Sequence, residues 1–321
     1  MQTRQIHTFG TYLHETFGER VYKVPVSISG FTCPNIDGTV AKGGCTFCEN
    51  DSFSPSLDQA KPLKGFHLSL DSSENPYLEK QLQQLELQFK AVSSRLKHDY
   101  GVGKYLVYFQ SFTNTYAPFE TLKALYEKAL SFDNVVGLSI GTRSDSITEE
   151  TLDYLAELAK EYEIWIEFGI QSVYDETLRR INRGHDSENV KSWILKAKER
   201  GLNVCGHLIF GLPGETREMM LKTAEEAYSW GIDSVKYHPL YVVKRTALYN
   251  EHLRGEFEPI SEELYINVLV EALKMKPGNI SVQRISAGID NDTLVAPQWC
   301  RDKNTQLRHI NAALKKEGLK Y

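Results

Sequence analysis

Short apolar runs alternate with amphipathic stretches along most of the chain. β-Branched and aromatic residues dominate the runs and predict strands, whereas the stretches between them carry apolar residues three and four positions apart, as helices do. The predicted strands cover residues 21–28, 104–109, 135–140, 164–170, 203–209, 234–237 and 280–285. The predicted helices cover residues 8–17, 75–97, 119–130, 148–160, 187–200, 216–230 and 261–274.

This alternation predicts an α/β fold. Strand–helix–strand units place neighbouring strands in parallel, and their right-handed crossovers give either an open doubly wound sheet or a barrel. No repeat of fixed period and no clear linker divides the sequence. We therefore predict a single partial or nearly complete (β/α) barrel over residues 21–290, with an N-terminal extension at residues 1–20 and a C-terminal extension at residues 291–321.

Polar residues follow the predicted strands at the edge where such folds form their sites. The carboxyl ends of parallel strands meet at one rim, and ligands bind there. The residues at these positions, from the first strand to the sixth, are Cys33, Gln110, Arg143, Gln171, His207 and His238. We predict that these six side chains converge on one site.

The composition is that of a protein able to bury a large core. Of the 321 residues, 41% are hydrophobic and 25% are charged, which is not the composition of a disordered chain. The first 22 residues lack the apolar stretch of a secretory leader, and no later stretch reaches the ~18 apolar residues that span a bilayer. We expect a soluble, cytoplasmic protein without membrane contact.

The charge distribution bears on nucleic-acid binding. The net charge is −5, which argues against indiscriminate coating of nucleic acid. The C-terminal extension is nevertheless basic. Its basic residues are Arg301, Lys303, Arg308, Lys315, Lys316 and Lys320. Such a run usually forms a solvated face, and a contact with nucleic acid is the alternative.

Three of the five cysteines lie within sixteen residues of one another. They belong to residues 30–64, a segment rich in Gly, Pro, Asn, Asp and Ser that is too long for an ordinary connection and predicts a functional loop. Cys33, Cys45 and Cys48 are spaced C-x11-C-x2-C. The C-x2-C pair places two thiolates on one turn, and the glycine-containing loop lets the third reach the same metal. Cys205 and Cys300 stand alone and are predicted to be structural.

Iron–sulfur and zinc are the two candidates for this metal. A closed structural zinc site needs four ligands, and the loop contains neither a histidine nor a fourth cysteine. Three thiolates instead leave one corner of a cubane cluster open for another ligand. The spacing alone favours iron–sulfur and leaves zinc open.

The cysteine loop and the later strand-end motifs together resemble the radical S-adenosylmethionine (SAM) superfamily. Within it, the chain is similar to the bacterial branch related to the elongator catalytic subunit and to oxygen-independent coproporphyrinogen dehydrogenase. A first gap of eleven residues between cysteines is typical of this branch, whereas most of the superfamily has three. The resemblance covers roughly residues 5–300. It implies a barrel of the radical SAM type and a [4Fe–4S] cluster on Cys33, Cys45 and Cys48.

Three motifs of the resemblance concern SAM. Gly169-Ile170-Gln171-Ser172 resembles the fourth-strand G-x-Q-S whose glutamine approaches the SAM ribose. Arg183 resembles the arginine that pairs with the SAM carboxylate, a task that suits a planar guanidinium. Residues 207–216, HLIFGLPGET, resemble the fifth-strand motif that closes over the adenosine. His207 stands where the coproporphyrinogen branch has an aspartate, and is more similar to the elongator branch.

Two further motifs depart from the superfamily pattern. Residues 109–115 replace the Gly-Gly pair whose backbone meets the SAM amino group, so that contact is expected from Gln110, Asn114 or other backbone groups. Arg143, in the sequence GTRSD, resembles the E-T-R-P-D run of the elongator branch with a glycine in place of the acidic residue. Arg143 is expected to serve either SAM or the substrate.

The resemblance also implies the reaction and the partners. SAM would be cleaved by one electron to a 5′-deoxyadenosyl radical, with a donor such as flavodoxin or ferredoxin as the reductant. The elongator likeness implies tRNA as the substrate and the C5 substituent of its wobble uridine as the target, with the basic C-terminal extension on the phosphates. The alternatives are a radical SAM enzyme acting on a small molecule in cofactor biosynthesis and a zinc-stabilised nucleic-acid-binding module.

Overall fold

The computed structural model describes residues 3–49, 66–101 and 103–321. The strands are β1 (Arg4–Gln5), β2 (Val21–Val26), β3 (Lys104–Phe109), β4 (Val135–Thr142), β5 (Glu163–Gln171), β6 (Asn203–Phe210), β7 (Ser234–Pro239), β8 (Val242–Val243), β9 (Ser281–Arg284), β10 (Leu294–Ala296) and β11 (Leu319–Lys320). The helices are α1 (Phe9–Phe17), α2 (Leu78–Tyr100), α3 (Phe119–Leu130), α4 (Glu149–Leu158), α5 (Asp175–Arg180), α6 (Ser187–Glu199), α7 (Arg217–Ser229), α8 (Ala247–Leu253), α9 (Glu262–Met275) and α10 (Lys303–Lys316).

Seven strands form one parallel sheet in the order β2-β3-β4-β5-β6-β7-β9. Because each neighbouring pair is parallel, the carboxyl ends of all seven strands lie at the same edge. The sheet curls into a half-barrel with helices on its outer face, which confirms the predicted α/β barrel. No helix among the described residues has both the length and the apolar character needed to cross a membrane.

Polar residues in front of the helices set where they begin. The side chains of Thr8, Thr148, Thr216 and Ser261 each accept a hydrogen bond from the backbone N–H three residues further on. This cap satisfies one of the N–H groups that have no acceptor within the first turn. The capping residue itself is extended, so these four helices begin one residue later than predicted.

The second helix differs most from its prediction. We expected it at residues 75–97, but it covers Leu78–Tyr100. At its start the Asn75 side chain accepts a hydrogen bond from the Tyr77 N–H at 3.1 Å and forms a turn ahead of the helix. At its end Gly101 takes a φ of 64° and donates its N–H to the Lys97 carbonyl, a left-handed cap that favours glycine.

The helix α10 of the C-terminal extension was not predicted, nor were α5 and α8. Asp302 caps α10 by accepting hydrogen bonds from the Asn304 and Thr305 N–H groups. Ile310 and Leu314 of this helix belong to the main hydrophobic core, and β11 pairs with β1. The prediction missed α10 because few apolar residues mark its buried face.

The interior of the half-barrel is closed at its lower end. Successive residues of a strand point to opposite faces, so every second side chain enters the interior. In the lowest layer Leu106, Trp165 and Cys205 pack against Phe9 and Leu13 of α1. Helix α1 therefore plugs the half-barrel from below, and the interior opens toward the carboxyl ends of the strands.

Candidate active site

A cavity at the carboxyl ends of the strands collects the side chains that the sequence predicted to meet. The six predicted strand-end residues line it, together with the remaining two loop cysteines and the predicted SAM arginine: Cys33, Gln110, Arg143, Gln171, His207, His238, Cys45, Cys48 and Arg183. Its volume is ≈ 250 Å³. A larger groove of ≈ 750 Å³ lies beside residues 211–215, and none of these side chains lines it. The smaller cavity is therefore the candidate site.

The cysteine loop folds back on itself. Gly43 and Gly44 have φ values of +85° and +76°, a conformation that favours glycine. The Gly44 N–H donates to the Asn35 carbonyl at 2.7 Å. The Cys48 N–H donates to the Cys45 carbonyl at 3.0 Å, which keeps these two cysteines on one turn.

Hydrogen-bond donors already surround two of the three sulfur atoms. Thr113 Oγ1 donates to Cys33 Sγ at 3.0 Å, and Asn35 Nδ2 donates to Cys45 Sγ at 3.2 Å. Arg183 Nη1 lies 3.8 Å from Cys45 Sγ. Donors of this kind favour the thiolate, which is the form of cysteine that binds a metal.

Burial raises the pKa of two of the three thiols. It raises the pKa of Cys33 to about 11. It also raises the pKa of Cys48 well above its usual range, and the neighbouring Cys45 adds to this effect. Buried thiols crowded at one place lose their protons when a cation compensates the charge. The three cysteines line one cavity, and their thiols have the chemistry of metal ligands.

Arg143 is held rigidly at the end of β4. Its Nε and Nη2 atoms donate to the two carboxylate oxygens of Asp145 at 2.8 and 2.6 Å. Nη2 also donates to the Arg183 carbonyl at 2.6 Å. Its Nη1 is buried and has no hydrogen-bond partner among the described residues. Because an unpaired buried donor costs free energy, Nη1 marks a place for an acceptor of a ligand.

Gln171 and Arg183 approach each other over Gly169. Arg183 Nη2 donates to the Gly169 carbonyl at 2.9 Å. A Cβ atom on Gly169 would lie 2.7 Å from both Arg183 Nη2 and Gln171 Nε2, so a larger residue would displace both side chains. Within the described part of the chain, Arg183 Nε and Gln171 Oε1 are buried without partners. These two atoms are suited to a ligand that carries both acceptors and donors.

A layer of charged side chains lies in the interior between the apolar plug and the cavity. Glu167 of β5 is fully buried and forms ion pairs with Lys23 of β2 and Lys236 of β7. It also accepts hydrogen bonds from His207 Nε2 at 2.7 Å and from Ser139 Oγ at 2.6 Å. Barrels of this type ordinarily fill their interior with Val, Ile and Leu. This interior is instead held by a charged network.

This charged layer forms the floor of the cavity, and its net charge is positive. Burial opposes the ionisation of Glu167, but the two ammonium groups outweigh it and hold the pKa of this carboxyl well below its usual range. Burial lowers the pKa of His207 to about 4, so this ring is neutral at pH 7. Burial also lowers the pKa of Lys23 to about 8. In this layer one carboxylate faces two lysines.

The sequence reasoning missed this charged layer, although a signal for it exists. Glu167 stands in the middle of a strand whose neighbouring residues Ile166 and Phe168 are buried. A charged residue in such a strand is almost never buried unless it is paired, so it predicts a partner. Tyr108 of β3 also contacts this layer, since its hydroxyl accepts a hydrogen bond from Lys236 Nζ at 3.1 Å.

The turn after β3 lies where the sequence departs from the Gly-Gly pair that the resemblance implies. The Asn114 amide donates to the carbonyls of Ser111 and Gly141 at 3.0 and 2.9 Å, and Asn114 does not line the cavity. Asn114 therefore holds the turn. Gln110 does line the cavity.

Comparison with known proteins identifies the class. Residues 38–227 match the profile of the Radical SAM superfamily, and residues 232–316 match that of the Radical_SAM C-terminal domain. The chain belongs to the radical SAM superfamily, and its cofactors are a [4Fe–4S] cluster and SAM. The predicted family and cofactors are thereby confirmed.

Three known proteins are similar to this chain to different extents. The chain is 36% identical to protein YtqA of Bacillus subtilis over 315 residues, which are 98% of this chain and 91% of that protein. It is 34% identical over 163 residues to the tRNA uridine(34) acetyltransferase of Methanocaldococcus infernus, 50% of this chain and 30% of that protein. The solved structure of Elp3 from M. infernus has the same fold, with a TM-score of 0.58 and 21% identity, over 93% of this chain and 64% of that chain.

Proposed function

We propose that this protein modifies the C5 substituent of the wobble uridine of tRNA by radical SAM chemistry. The observation that carries this proposal is the similarity over half of the chain to a protein named for tRNA uridine 34. The shared fold with archaeal Elp3 agrees with it. A reductant such as flavodoxin or ferredoxin would supply the electron.

The C-terminal extension supplies a surface for the tRNA backbone. Helix α10 buries Gln306, Ile310 and Leu314, and other residues of the helix are exposed to solvent. Its basic side chains, and the one that follows in β11, are exposed: Lys303, Arg308, Lys315, Lys316 and Lys320. Lysine and arginine on one surface neutralise phosphates and release counterions. This surface would contribute affinity for tRNA without reading its sequence.

The three loop cysteines would hold the cluster and leave one iron free to bind SAM. The fit rests on two observations: buried thiols with donors directed at their sulfur atoms, and buried unpaired atoms of Arg143, Arg183 and Gln171. When bound, the cluster and SAM supply one-electron cleavage of SAM and the radical that removes a hydrogen atom from the substrate. Arg183 and Gln171 would orient SAM, joined by Gln110 and His207.

Other residues of the cavity would hold the bound ligands in position and exclude water. Asp145 braces Arg143 through two hydrogen bonds, so this guanidinium loses little freedom when a ligand binds. The neutral His207 ring is held by Glu167 at the bottom of the cavity. Apolar side chains of Phe47 and Ile209 cover part of the wall and exclude water from the reacting atoms.

Changing Arg183 to Gln is expected to weaken SAM binding by about ten- to a hundred-fold. A hydrogen bond to a charged group contributes about 1.5–3 kcal/mol, and each 1.4 kcal/mol is about tenfold in affinity. Equilibrium dialysis of the anaerobically reconstituted protein measures the effect. The matched control is Arg180→Gln, because Arg180 pairs with Glu251 on the surface and its loss should leave SAM affinity unchanged. Equal SAM affinity of the wild type and the Arg183→Gln variant would contradict this role.

The proposed function can be tested by analysing the tRNA of cells that lack this protein. We expect nucleoside mass spectrometry to show an altered wobble uridine, restored by the wild-type gene but not by a Cys48→Ala variant. The variant controls for effects of the protein that do not need the cluster. An unchanged nucleoside profile in the deletion strain would contradict the proposal and favour a small-molecule substrate.

A further inference from the structure

One guanidinium in the cavity has no hydrogen-bond or ion-pair partner among the described residues. Arg284, the last residue of β9, lines the cavity and is half-buried. Across residues 3–49, 66–101 and 103–321, no carboxylate pairs with it and no acceptor forms a hydrogen bond with it. Arg143 and Arg183 are different, since both already donate to groups of the protein.

Arg284 stands apart from the residues proposed to bind SAM. In the sheet order, β9 lies three strands beyond β5, the strand that ends at Gln171. At ~4.8 Å per strand this separation is ~14 Å along the sheet. Arg284 is in register with Lys236 of β7, whose side chain points into the interior. It therefore faces a part of the cavity that Arg183 and Gln171 do not occupy.

His238 provides a second unpaired group on the same side. It lies at the end of β7, next to β9 in the sheet, and its ring is 5.8 Å from that of His207. Its Nε2 atom is buried and has no hydrogen-bond partner among the described residues. Burial and the nearby Arg284 hold the pKa of His238 well below its usual range, so the ring is neutral. A neutral imidazole can present an N–H donor at Nε2.

In the part of the chain that the structure describes, no acidic side chain at the cavity is left to neutralise Arg284. Glu167 is the one carboxylate among the described residues that line the cavity, and both Lys23 and Lys236 already pair with it. A half-buried guanidinium without a counter-charge is costly. An anionic ligand would supply the missing charge.

We propose that Arg284 and His238 bind an anionic group of the substrate, a carboxylate or a phosphate. The guanidinium offers parallel N–H donors that match the two oxygens of either anion, and His238 adds a further donor. The inference rests on the proposed function in one respect, that the substrate of this radical SAM enzyme enters this cavity. A phosphate of a nucleotide and a carboxylate on its base present the same chemistry to Arg284.

Two small anions test this site without tRNA. The holoenzyme, reconstituted with its cluster and saturated with SAM, is titrated with inorganic phosphate and separately with acetate, and binding is followed by ³¹P and ¹³C NMR. We expect at least one anion to bind, and Arg284→Gln to weaken that binding at least tenfold. The Arg284→Lys variant should lose less affinity for the anion than Arg284→Gln does, because lysine keeps the charge but not the paired donors.

Arg217→Gln is the matched control. It removes the same charge from α7, where Arg217 donates to Asn267 on the outside of the barrel, and should not change anion binding. Phosphate binding alone would identify a nucleotide phosphate, and acetate binding alone a carboxylate. Absence of binding by both anions, or binding that survives in Arg284→Gln, would overturn the proposal. So would a tenfold loss of SAM affinity in Arg284→Gln, since Arg284 would then serve SAM.

The result is separable from that of the tRNA experiment. Anion binding is measured on the isolated holoenzyme, whereas the nucleoside profile is measured in cells. If the anion site exists and the tRNA is unchanged, the substrate is another anionic molecule. If the tRNA is altered and neither anion binds through Arg284, the proposed function stands and the role of Arg284 is wrong.

Discussion

Changing Cys45 to Ala is expected to abolish both the iron–sulfur cluster and the cleavage of SAM. Two thiolates cannot hold a cubane cluster as three do, and Cys45 is also the cysteine whose sulfur contacts both Asn35 and Arg183. Iron and sulfide quantitation after anaerobic reconstitution, followed by a 5′-deoxyadenosine assay, measures both losses. We expect iron near background and no product above that of the cluster-free protein.

Cys300→Ala is the matched control for this prediction. Cys300 is a buried thiol like Cys45, but it packs in a separate apolar cluster with Leu294 and does not line the cavity. The control variant should keep the full iron content. A Cys45→Ala protein that retained a complete cluster, or a Cys300→Ala protein that lost it, would contradict the assignment of the three loop cysteines.

Changing Glu167 to Gln is expected to lower the free energy of unfolding by about 3–5 kcal/mol, the usual cost of breaking a buried ion pair. The change leaves the ammonium groups of the half-buried Lys23 and the buried Lys236 without a counter-charge. Urea unfolding at pH 7 measures the loss. Because the folded protein depresses the pKa of Glu167, this stabilisation is present above the pKa of an unfolded glutamate and is lost as the pH falls through the folded value.

An exposed ion pair provides the control. Glu149 of α4 pairs with Lys196 and Arg200 on the surface, so Glu149→Gln should change stability little. The Glu167 prediction would be wrong if both variants unfolded at the same urea concentration as the wild type.

The fold could be predicted because its elements are locally consistent. Apolar strands such as Lys104–Phe109 and capped helices such as the one after Thr148 carry their own signals. Helix α10 could not be found in this way, since its buried side consists of few residues and its exposed basic residues resemble a disordered tail. Tertiary packing against the core, rather than local pattern, makes it a helix.

The candidate site was predictable where it depends on topology. Cys33, Gln171 and His238 lie far apart in sequence, and they meet because the carboxyl ends of parallel strands share one edge. The charged interior was not predictable, because the ion pair between Lys23 and Glu167 joins residues 144 positions apart. A reading of each strand by itself finds a buried charge but not its partner.

The most direct test of the account is anaerobic reconstitution of the wild-type protein with iron and sulfide. We predict about four irons per chain, an EPR signal of a reduced [4Fe–4S] cluster, and release of 5′-deoxyadenosine from SAM after reduction with dithionite. Stoichiometric zinc, with no cluster and no cleavage of SAM, would contradict the assignment of Cys33, Cys45 and Cys48 as cluster ligands and the chemistry built on it.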